Sequence, residues 1–137
     1  MIVLDCSVAV AWCFADEATP ALDALLDQVQ AEGAIVPPLW TLEVTNVLTQ
    51  AARRGRLPPP GARGRLDLLD MLPITVDDGG AGRVWRDNLL ALADVENLTI
   101  YDATYLELAI RRGLALATSD TALRAAAGRR GMTVLPA

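Results

Sequence analysis

Ile2-Val3-Leu4-Asp5 opens the chain with an apolar run, typical of a β-strand, that stops at an acid. Four similar runs follow, at residues 34–36, 74–76, 114–118 and 132–135. Helical patterns separate them, over residues 8–14, 20–30, 39–54, 57–71, 83–93, 103–112 and 121–127. Short apolar strands that alternate with helices predict a parallel sheet covered on both faces. The expected class is α/β, with three α/β/α layers around a short, mostly parallel central sheet.

Length and composition predict one folded domain over residues 1–137. The chain has 137 residues, and domains usually contain about 100–200. Hydrophobic residues make up 53% and charged residues 21%, which excludes a disordered chain. No repeat or linker divides it. The high apolar fraction also indicates a surface that binds another protein.

The charged residues restrict the chemistry. All 12 basic residues are Arg, so the chain has neither Lys nor His, and its net charge is −5. Without His, the commonest general base and metal ligand is absent. Without Lys, a Schiff base and a P-loop lysine are excluded. Any metal site must therefore use carboxylate oxygens, which suit Mg²⁺ or Mn²⁺.

The sequence also indicates where the protein works. The apolar N-terminal segment has no basic n-region and contains Asp5, so a signal peptide is not expected. The longest uncharged runs, 6–15 and 33–42, are too short to cross a bilayer. Two cysteines, Cys6 and Cys13, fit a reducing compartment. We expect a soluble cytoplasmic protein with no membrane contact.

Four acids are the candidate catalytic and metal-ligating residues. Asp5 and Asp120 follow predicted strands, at the edge where open α/β sheets bind ligands. Asp102 opens a predicted helix, and Glu43 lies within one between apolar neighbours. Each has a structural alternative: a helix N-cap for Asp102 and Asp120, a turn for Asp5, and an exposed helix position for Glu43. Together they favour a bound cation, because like charges 4 Å apart cost ~4 kcal/mol at an effective dielectric of 20.

Three small polar residues are candidates to support these acids. Ser7 and Thr118 each lie two positions from an acid, on the same side of an extended segment, and Asn46 shares a helix face with Glu43. Their alternatives are an N-cap, β-propensity and a surface amide. Arg53 and Arg54 belong to a local basic run that either contacts RNA phosphates or complements a helix end.

These features resemble a known family. The chain is similar to PIN-domain nucleases, specifically VapC-type toxins of bacterial toxin–antitoxin pairs. The segments that carry the resemblance are Ile2-Val3-Leu4-Asp5-Cys6-Ser7-Val8, Glu43-Val44-Thr45-Asn46-Val47-Leu48, Tyr101-Asp102-Ala103-Thr104-Tyr105-Leu106-Glu107-Leu108-Ala109 and Leu116-Ala117-Thr118-Ser119-Asp120. The four acids of the family pattern are all present, in order, over nearly the whole chain.

The resemblance implies a single PIN-like nuclease domain with a defined activity. It implies a Mg²⁺-dependent (or Mn²⁺-dependent) endoribonuclease that cuts structured cellular RNA and halts translation. It implies a homodimer, which we expect to form through the helices between Pro20 and Arg65. It also implies a cognate VapB-type antitoxin that inserts a segment into the active-site groove. Asp5 and Asp102 are then the expected direct metal ligands, with Glu43 and Asp120 acting through water.

Two alternatives remain at this point. In a phosphotransfer or phosphatase domain, Asp5 would accept the phosphoryl group. A dehalogenase-like phosphatase would have Asp where Ser7 stands, and a receiver domain would have a late-strand Lys. The other alternative is a non-catalytic PIN-like binding module. Metal-dependent RNA cleavage separates the nuclease from both.

Overall fold

Five parallel strands form the central sheet, in the order β3-β2-β1-β4-β5. The computed structural model describes all 137 residues. The strands are short, in agreement with the sequence: β1 Ile2–Leu4, β2 Ala34–Val36, β3 Ile74–Val76, β4 Leu116–Ala117 and β5 Val134–Leu135. The predicted α/β class with a parallel sheet is confirmed.

Seven α-helices cover the sheet on two sides. They are α1 Cys6–Ala11, α2 Pro20–Glu32, α3 Leu39–Arg53, α4 Ala62–Asp70, α5 Gly82–Glu96, α6 Ile100–Arg112 and α7 Thr121–Arg129. Successive strand residues point to opposite faces, so Ile2 and Leu4 pack with α1–α4 while Val3 packs with α6 and α7. The α5 helix packs on α6 outside that layer. This arrangement gives the three predicted layers.

The strand order places a ligand-binding edge between β1 and β4. The chain runs outward from β1 through β2 to β3, and then crosses back to β4 on the other side of β1. The loops after β1 and β4 therefore diverge at the carboxyl ends of these two strands. In open α/β sheets, this point of divergence is where ligands bind.

Three helices start two or more residues away from their predicted first residues. The helix expected over 57–71 begins only at Ala62, because the three prolines at 58–60 cannot donate backbone hydrogen bonds and disfavour helix before them. The α1 helix begins at Cys6, directly after Asp5. The α6 helix begins at Ile100, where Thr99 Oγ1 accepts a hydrogen bond from the Asp102 N–H at 3.1 Å. Thr99, and not Asp102, therefore caps this helix.

Several large apolar side chains remain on the surface. Leu42 on α3 is 75% exposed, and Met71 after α4 is 80% exposed. Both cysteines are free and buried. None of the helices combines the length and the apolar composition needed to cross a bilayer.

Candidate active site

The candidate site begins where β1 and β4 end side by side. Leu4 pairs with Ala117, and the Asp5 N–H donates to the Ala117 carbonyl at 2.9 Å. This pairing brings Asp5 next to Thr118, although 113 positions separate them in the chain. The same strand ends carry Ser7 and Asp120, so the sheet alone brings together two of the four acids.

Hydroxyl groups hold the Asp5 carboxylate in one orientation. Ser7 Oγ donates to Asp5 Oδ2 at 2.6 Å, and Thr118 Oγ1 donates to the same oxygen at 2.7 Å. The two hydroxyls are fixed in turn, because they accept the backbone N–H groups of Ser119 and Asp120 at 3.0 Å. Asp5 is only 5% exposed, and its Oδ1 accepts no hydrogen bond from the protein.

Asp120 begins α7 as the sequence predicts. Its Oδ1 accepts the Leu123 N–H at 2.8 Å, a side-chain cap of the first helical turn. Its other carboxylate oxygen receives no hydrogen bond from the protein. Capping therefore uses one oxygen and leaves the second free for a ligand.

Glu43 reaches the site from α3, on the opposite face of the sheet from α6. The hydroxyl of the fully buried Tyr105, on α6, donates a hydrogen bond to Glu43 Oε1. Burial raises the pKa of the Glu43 carboxyl, the Tyr105 hydrogen bond opposes this rise, and the charges of Asp5 and Asp102 add to it. Burial also raises the pKa of Tyr105, so its hydroxyl stays protonated and remains a donor.

Asp102 lies in the first turn of α6 and is half-buried. Burial raises the pKa of its carboxyl, and the charges of Asp120 and Asp5 raise it further. Asp102 also raises the pKa of Glu43, so charge repulsion links Asp102 with each of the other three acids. Repulsion of this kind favours a bound cation.

The four acids lie at one edge, but they are not in mutual contact. No three Asp, Glu, Cys or His side chains are close enough to form a ready metal-ligating group. Mg²⁺ fits such an arrangement because it commonly keeps several waters and uses only one or two carboxylates plus substrate phosphate. None of the nine ion pairs of the protein includes any of the four acids, so their charge is uncompensated. The donor set therefore fits a hard divalent cation.

Cys6 does not add a ligand to this set. Burial raises the pKa of its thiol to about 12, and the charges of Glu43 and Asp5 contribute to the rise. A thiol of this kind stays protonated at neutral pH, and only a thiolate is a good nucleophile or metal ligand.

A groove of about 510 Å³ extends from this site along α1 and α3. Its lining includes Ser7 and Ser119, whose hydrogen bond lies next to Asp5, as well as Arg54 and Arg56. The charge of Arg56 is already compensated within the protein. Its guanidinium forms ion pairs with Asp16 and Glu17 and lies 3.8 Å from the centre of the Phe14 ring. Arg54 bonds only to the neutral Gln50 side chain, so its charge is available to a ligand.

Two predicted site residues lie apart from this groove and from the acids. Arg53 is exposed and does not line the groove. Asn46 is also exposed, and its side chain accepts a hydrogen bond from Gln50 at 3.4 Å instead of contacting an acid.

Tyr105 is the residue of the site that sequence analysis missed. Its position three residues after Asp102, on the same helix face, was the available signal.

Comparison with known proteins identifies the fold. A family model of the PIN domain matches residues 2–129. The chain belongs to the PIN domain family. PIN domains are generally nucleases, and they usually use a divalent metal ion. The PIN-like fold predicted from the sequence is thereby confirmed.

Solved structures resemble this PIN domain over most of its length. PAE2754 from Pyrobaculum aerophilum is 27% identical, with a TM-score of 0.69, over 91% of this chain and 83% of its own. FitAcB from Neisseria gonorrhoeae is 17% identical, with a TM-score of 0.67, over 98% of this chain and 96% of its own. At that identity, FitAcB shows a shared fold alone. No curated protein sequence matches this chain significantly.

Proposed function

We propose that this PIN domain is a Mg²⁺-dependent or Mn²⁺-dependent endoribonuclease and the toxin of a VapBC-type toxin–antitoxin pair. In this proposal it cuts structured cellular RNA in the cytoplasm and thereby stops translation. One observation carries the nuclease proposal: the charge of Asp102 is coupled to those of Asp5, Glu43 and Asp120, and none of these four acids, from four separate elements, has a cationic partner. The toxin assignment rests on the resemblance to VapC-type chains.

The side chains divide into two groups by their surroundings. Asp5 and Asp102 are the proposed holders of the cation, because both extend from the rigid ends of secondary-structure elements. When bound, the cation supplies a Lewis acid that polarises the phosphodiester and activates water. Glu43 keeps Oε2 free of protein donors while Tyr105 holds Oε1, so we assign Oε2 to accept a proton from the attacking water. Asp120 orients water through its uncapped oxygen.

Ser7 and Thr118 are proposed to position Asp5, because both hydroxyls bond its Oδ2 and leave Oδ1 to the ligand. Arg54 is proposed to hold an RNA phosphate in the groove that leads away from the site. Arg53 contributes at most long-range attraction from outside that groove. These roles are compatible with an acidic nuclease, since attraction of RNA then depends on a few arginines and the bound cation.

The partner proposal rests on exposed apolar surface. Leu42 and Val47, both on α3 and within the region from Pro20 to Arg65, each expose a large hydrophobic side chain. Such residues are typical of surfaces that bind other proteins. We propose that the PIN domain forms a homodimer through the region from Pro20 to Arg65 and binds a VapB-type antitoxin.

No observation favours the alternatives. A dehalogenase-like phosphatase would have Asp where Ser7 stands, and here Ser7 donates its hydroxyl to Asp5 Oδ2 at 2.6 Å. A non-catalytic module would have no need for four uncompensated acids, whose repulsion lowers stability.

The test of the toxin proposal is regulated expression in a bacterial host. Wild type should arrest growth and lower incorporation of labelled amino acids into protein, while Asp5→Asn should do neither. Asp94→Asn, which neutralises an exposed acid on α5 outside the proposed dimer region, is the matched control and should arrest growth like wild type. Growth arrest by Asp5→Asn at equal protein level would contradict the proposal.

A further inference from the structure

Arg124, on α7, binds backbone carbonyls instead of an acid. Its Nη1 donates to the Thr118 carbonyl at 2.8 Å and to the Leu135 carbonyl at 3.4 Å, and its Nη2 donates to the Pro136 carbonyl at 2.8 Å. None of the nine ion pairs includes Arg124. Its guanidinium therefore joins the carboxyl ends of β4 and β5, directly beside the candidate site.

The contact with Thr118 fixes a peptide unit of that site. Thr118 is fully buried, and its N–H donates to the Leu135 carbonyl at 2.9 Å. The peptide between Thr118 and Ser119 is held at both ends, because Arg124 binds its C=O while its N–H donates to Ser7 Oγ at 3.0 Å. A peptide unit is planar, so the direction of the carbonyl determines the direction of the N–H. Arg124 therefore aims the Ser119 N–H at Ser7.

Two routes lead from this peptide to Asp5. In one, the Ser119 N–H holds Ser7 Oγ, which donates to Asp5 Oδ2 at 2.6 Å. In the other, Thr118 Oγ1 donates to the same oxygen at 2.7 Å and accepts the Asp120 N–H at 3.0 Å. A rotation of the peptide would therefore disturb both donors that orient the Asp5 carboxylate.

The charge of Arg124 strengthens this arrangement. Hydrogen bonds from an ionised donor are roughly twice as strong as those between neutral groups. Arg124 is half-buried, and every acceptor of its guanidinium is a carbonyl at a strand end. The contacts it makes are therefore strong, and they act on backbone that carries the site.

We propose that Arg124 is a positioning residue for Asp5, and that β5 takes part in the candidate site through it. Arg124 fixes the peptide after Thr118, this peptide fixes the hydroxyls of Ser7 and Thr118 on Oδ2, and Oδ1 stays free for a cation. The inference rests on the proposed metal-dependent function and extends it to a residue outside the four acids.

Amide hydrogen exchange on the metal-free protein tests the positioning without any activity. Arg124→Met keeps the length of the side chain and removes its charge and donors. The exchange rates of the Ser119 and Asp120 amides are divided by the rate of Val3, a buried amide of β1 that reports global opening. In Arg124→Met, this ratio should rise roughly 10-fold or more, as expected for one lost hydrogen bond from a charged donor.

Calorimetric titration with Mn²⁺ tests the consequence for the site. Arg124→Met should bind Mn²⁺ roughly 10- to 100-fold more weakly, the usual effect of removing an outer partner of a metal ligand. Arg129→Met is the matched control on the same helix, because it removes an ion pair with buried Glu96 at 2.7 Å. It should also lower the melting temperature, but it should change neither the exchange ratio nor the Mn²⁺ affinity.

A conservative variant separates positioning from general destabilisation. Arg124→Lys keeps the charge but offers one nitrogen to three carbonyls. Its exchange ratio and Mn²⁺ affinity should therefore lie between those of wild type and Arg124→Met. The same comparison with Arg129→Met holds for Arg124→Lys alone if Arg124→Met does not fold.

The outcomes distinguish this inference from the proposed function. In a protein that binds Mn²⁺, an unchanged exchange ratio or an unchanged affinity in the Arg124 variants would overturn the positioning role and leave the nuclease proposal standing. Equal effects in Arg129→Met would overturn it as well, because they would show general destabilisation. A raised exchange ratio in Arg124→Met, in a protein whose wild type binds no Mn²⁺, would support the positioning of Asp5 and refute the metal-dependent nuclease.

Discussion

The hydroxyl of Tyr105, on α6, donates a hydrogen bond to Oε1 of Glu43, on α3. These two helices cover opposite faces of the sheet, so the bond joins both layers at the carboxyl edge of the strands. It also supplies the one contact that opposes the rise in the Glu43 pKa caused by burial and by the neighbouring acids. Tyr105 therefore couples the packing of the two helical layers to the protonation of the Glu43 carboxyl.

Replacing Tyr105 by Phe should raise the Glu43 pKa further, because the variant loses the hydrogen bond that stabilises the carboxylate. Carboxyl carbon NMR on the metal-free protein measures that pKa directly. RNA cleavage should fall by about tenfold while the fold is retained. An unchanged Glu43 titration in the variant would show that the hydrogen bond has no influence on this charge.

Divalent cations should stabilise the wild type against heat. A ligand that binds only the folded state adds about 2.7 kcal/mol at 100-fold excess over Kd. Asp5→Asn should gain much less, and the exposed control Asp94→Asn should gain as much as wild type. Calorimetry with and without Mn²⁺ makes the comparison, and an equal gain in all three proteins would argue against a shared site.

The same experiment without metal tests the repulsion between the acids. The folded-state pKa of Asp102 is raised, so its ionised form destabilises the protein at neutral pH. Asp102→Asn should therefore melt at a higher temperature than wild type in EDTA. A lower melting temperature would mean that Asp102 makes a favourable contact that outweighs its burial and its acidic neighbours.

The ion pair between buried Asp77 and the partly exposed Arg111 should make stability depend on pH. The Asp77 pKa is lowered in the folded protein, so the pair stabilises above the unfolded pKa of about 3.9, and the gain disappears as pH falls through the folded value. Asp77→Asn should cost about 2 kcal/mol at pH 7, between the values for exposed and buried pairs. The exposed control Asp87→Asn should cost under about 0.5 kcal/mol. Urea unfolding at pH 7 and pH 3 tests whether the Asp77→Asn penalty shrinks in acid.

Arg54 and Arg53 should differ in their effect on RNA affinity. Arg54→Gln should weaken binding and reduce the slope of log K against log salt by about 0.7–0.9, the value for one lost phosphate contact. Arg53→Gln should change the slope less, because Arg53 does not line the groove. Salt titrations of the binding of a short 2′-O-methyl RNA, which cannot be cleaved, give both slopes. Equal slopes for the two variants would contradict the groove assignment.

The sheet and its acids could be predicted because strong local signals mark them. Asp5 and Asp120 directly follow apolar runs, and parallel strands bring their carboxyl ends to one edge. The start of α4 was misplaced, because the apolar pattern continues through Pro58–Pro60, which cannot lie inside a helix.

The remaining contacts depend on how distant elements pack. The Tyr105–Glu43 hydrogen bond requires α3 and α6 to approach each other at the sheet edge. No local sequence pattern determines the distance between these two helices. Arg53 and Arg54 are adjacent in sequence but point about 100° apart on a helix, so only the packed groove distinguishes them. The cavity lined by Trp85 lies between the ends of β2 and β3 and the helices α5 and α6. It could not be predicted from the sequence, because it depends on how these four elements pack.

Cleavage of RNA by the purified protein tests the central claim most directly. The measurement is the initial rate on a structured RNA in EDTA, and after adding back Mg²⁺ or Mn²⁺, for wild type, Asp5→Asn, Asp102→Asn and the exposed control Asp94→Asn. We expect cleavage by wild type and Asp94→Asn only with metal, and at least a 100-fold loss, about 2.7 kcal/mol, in both site variants. Full wild-type cleavage in EDTA, or wild-type rates for Asp5→Asn and Asp102→Asn, would contradict a metal-dependent site built from these acids.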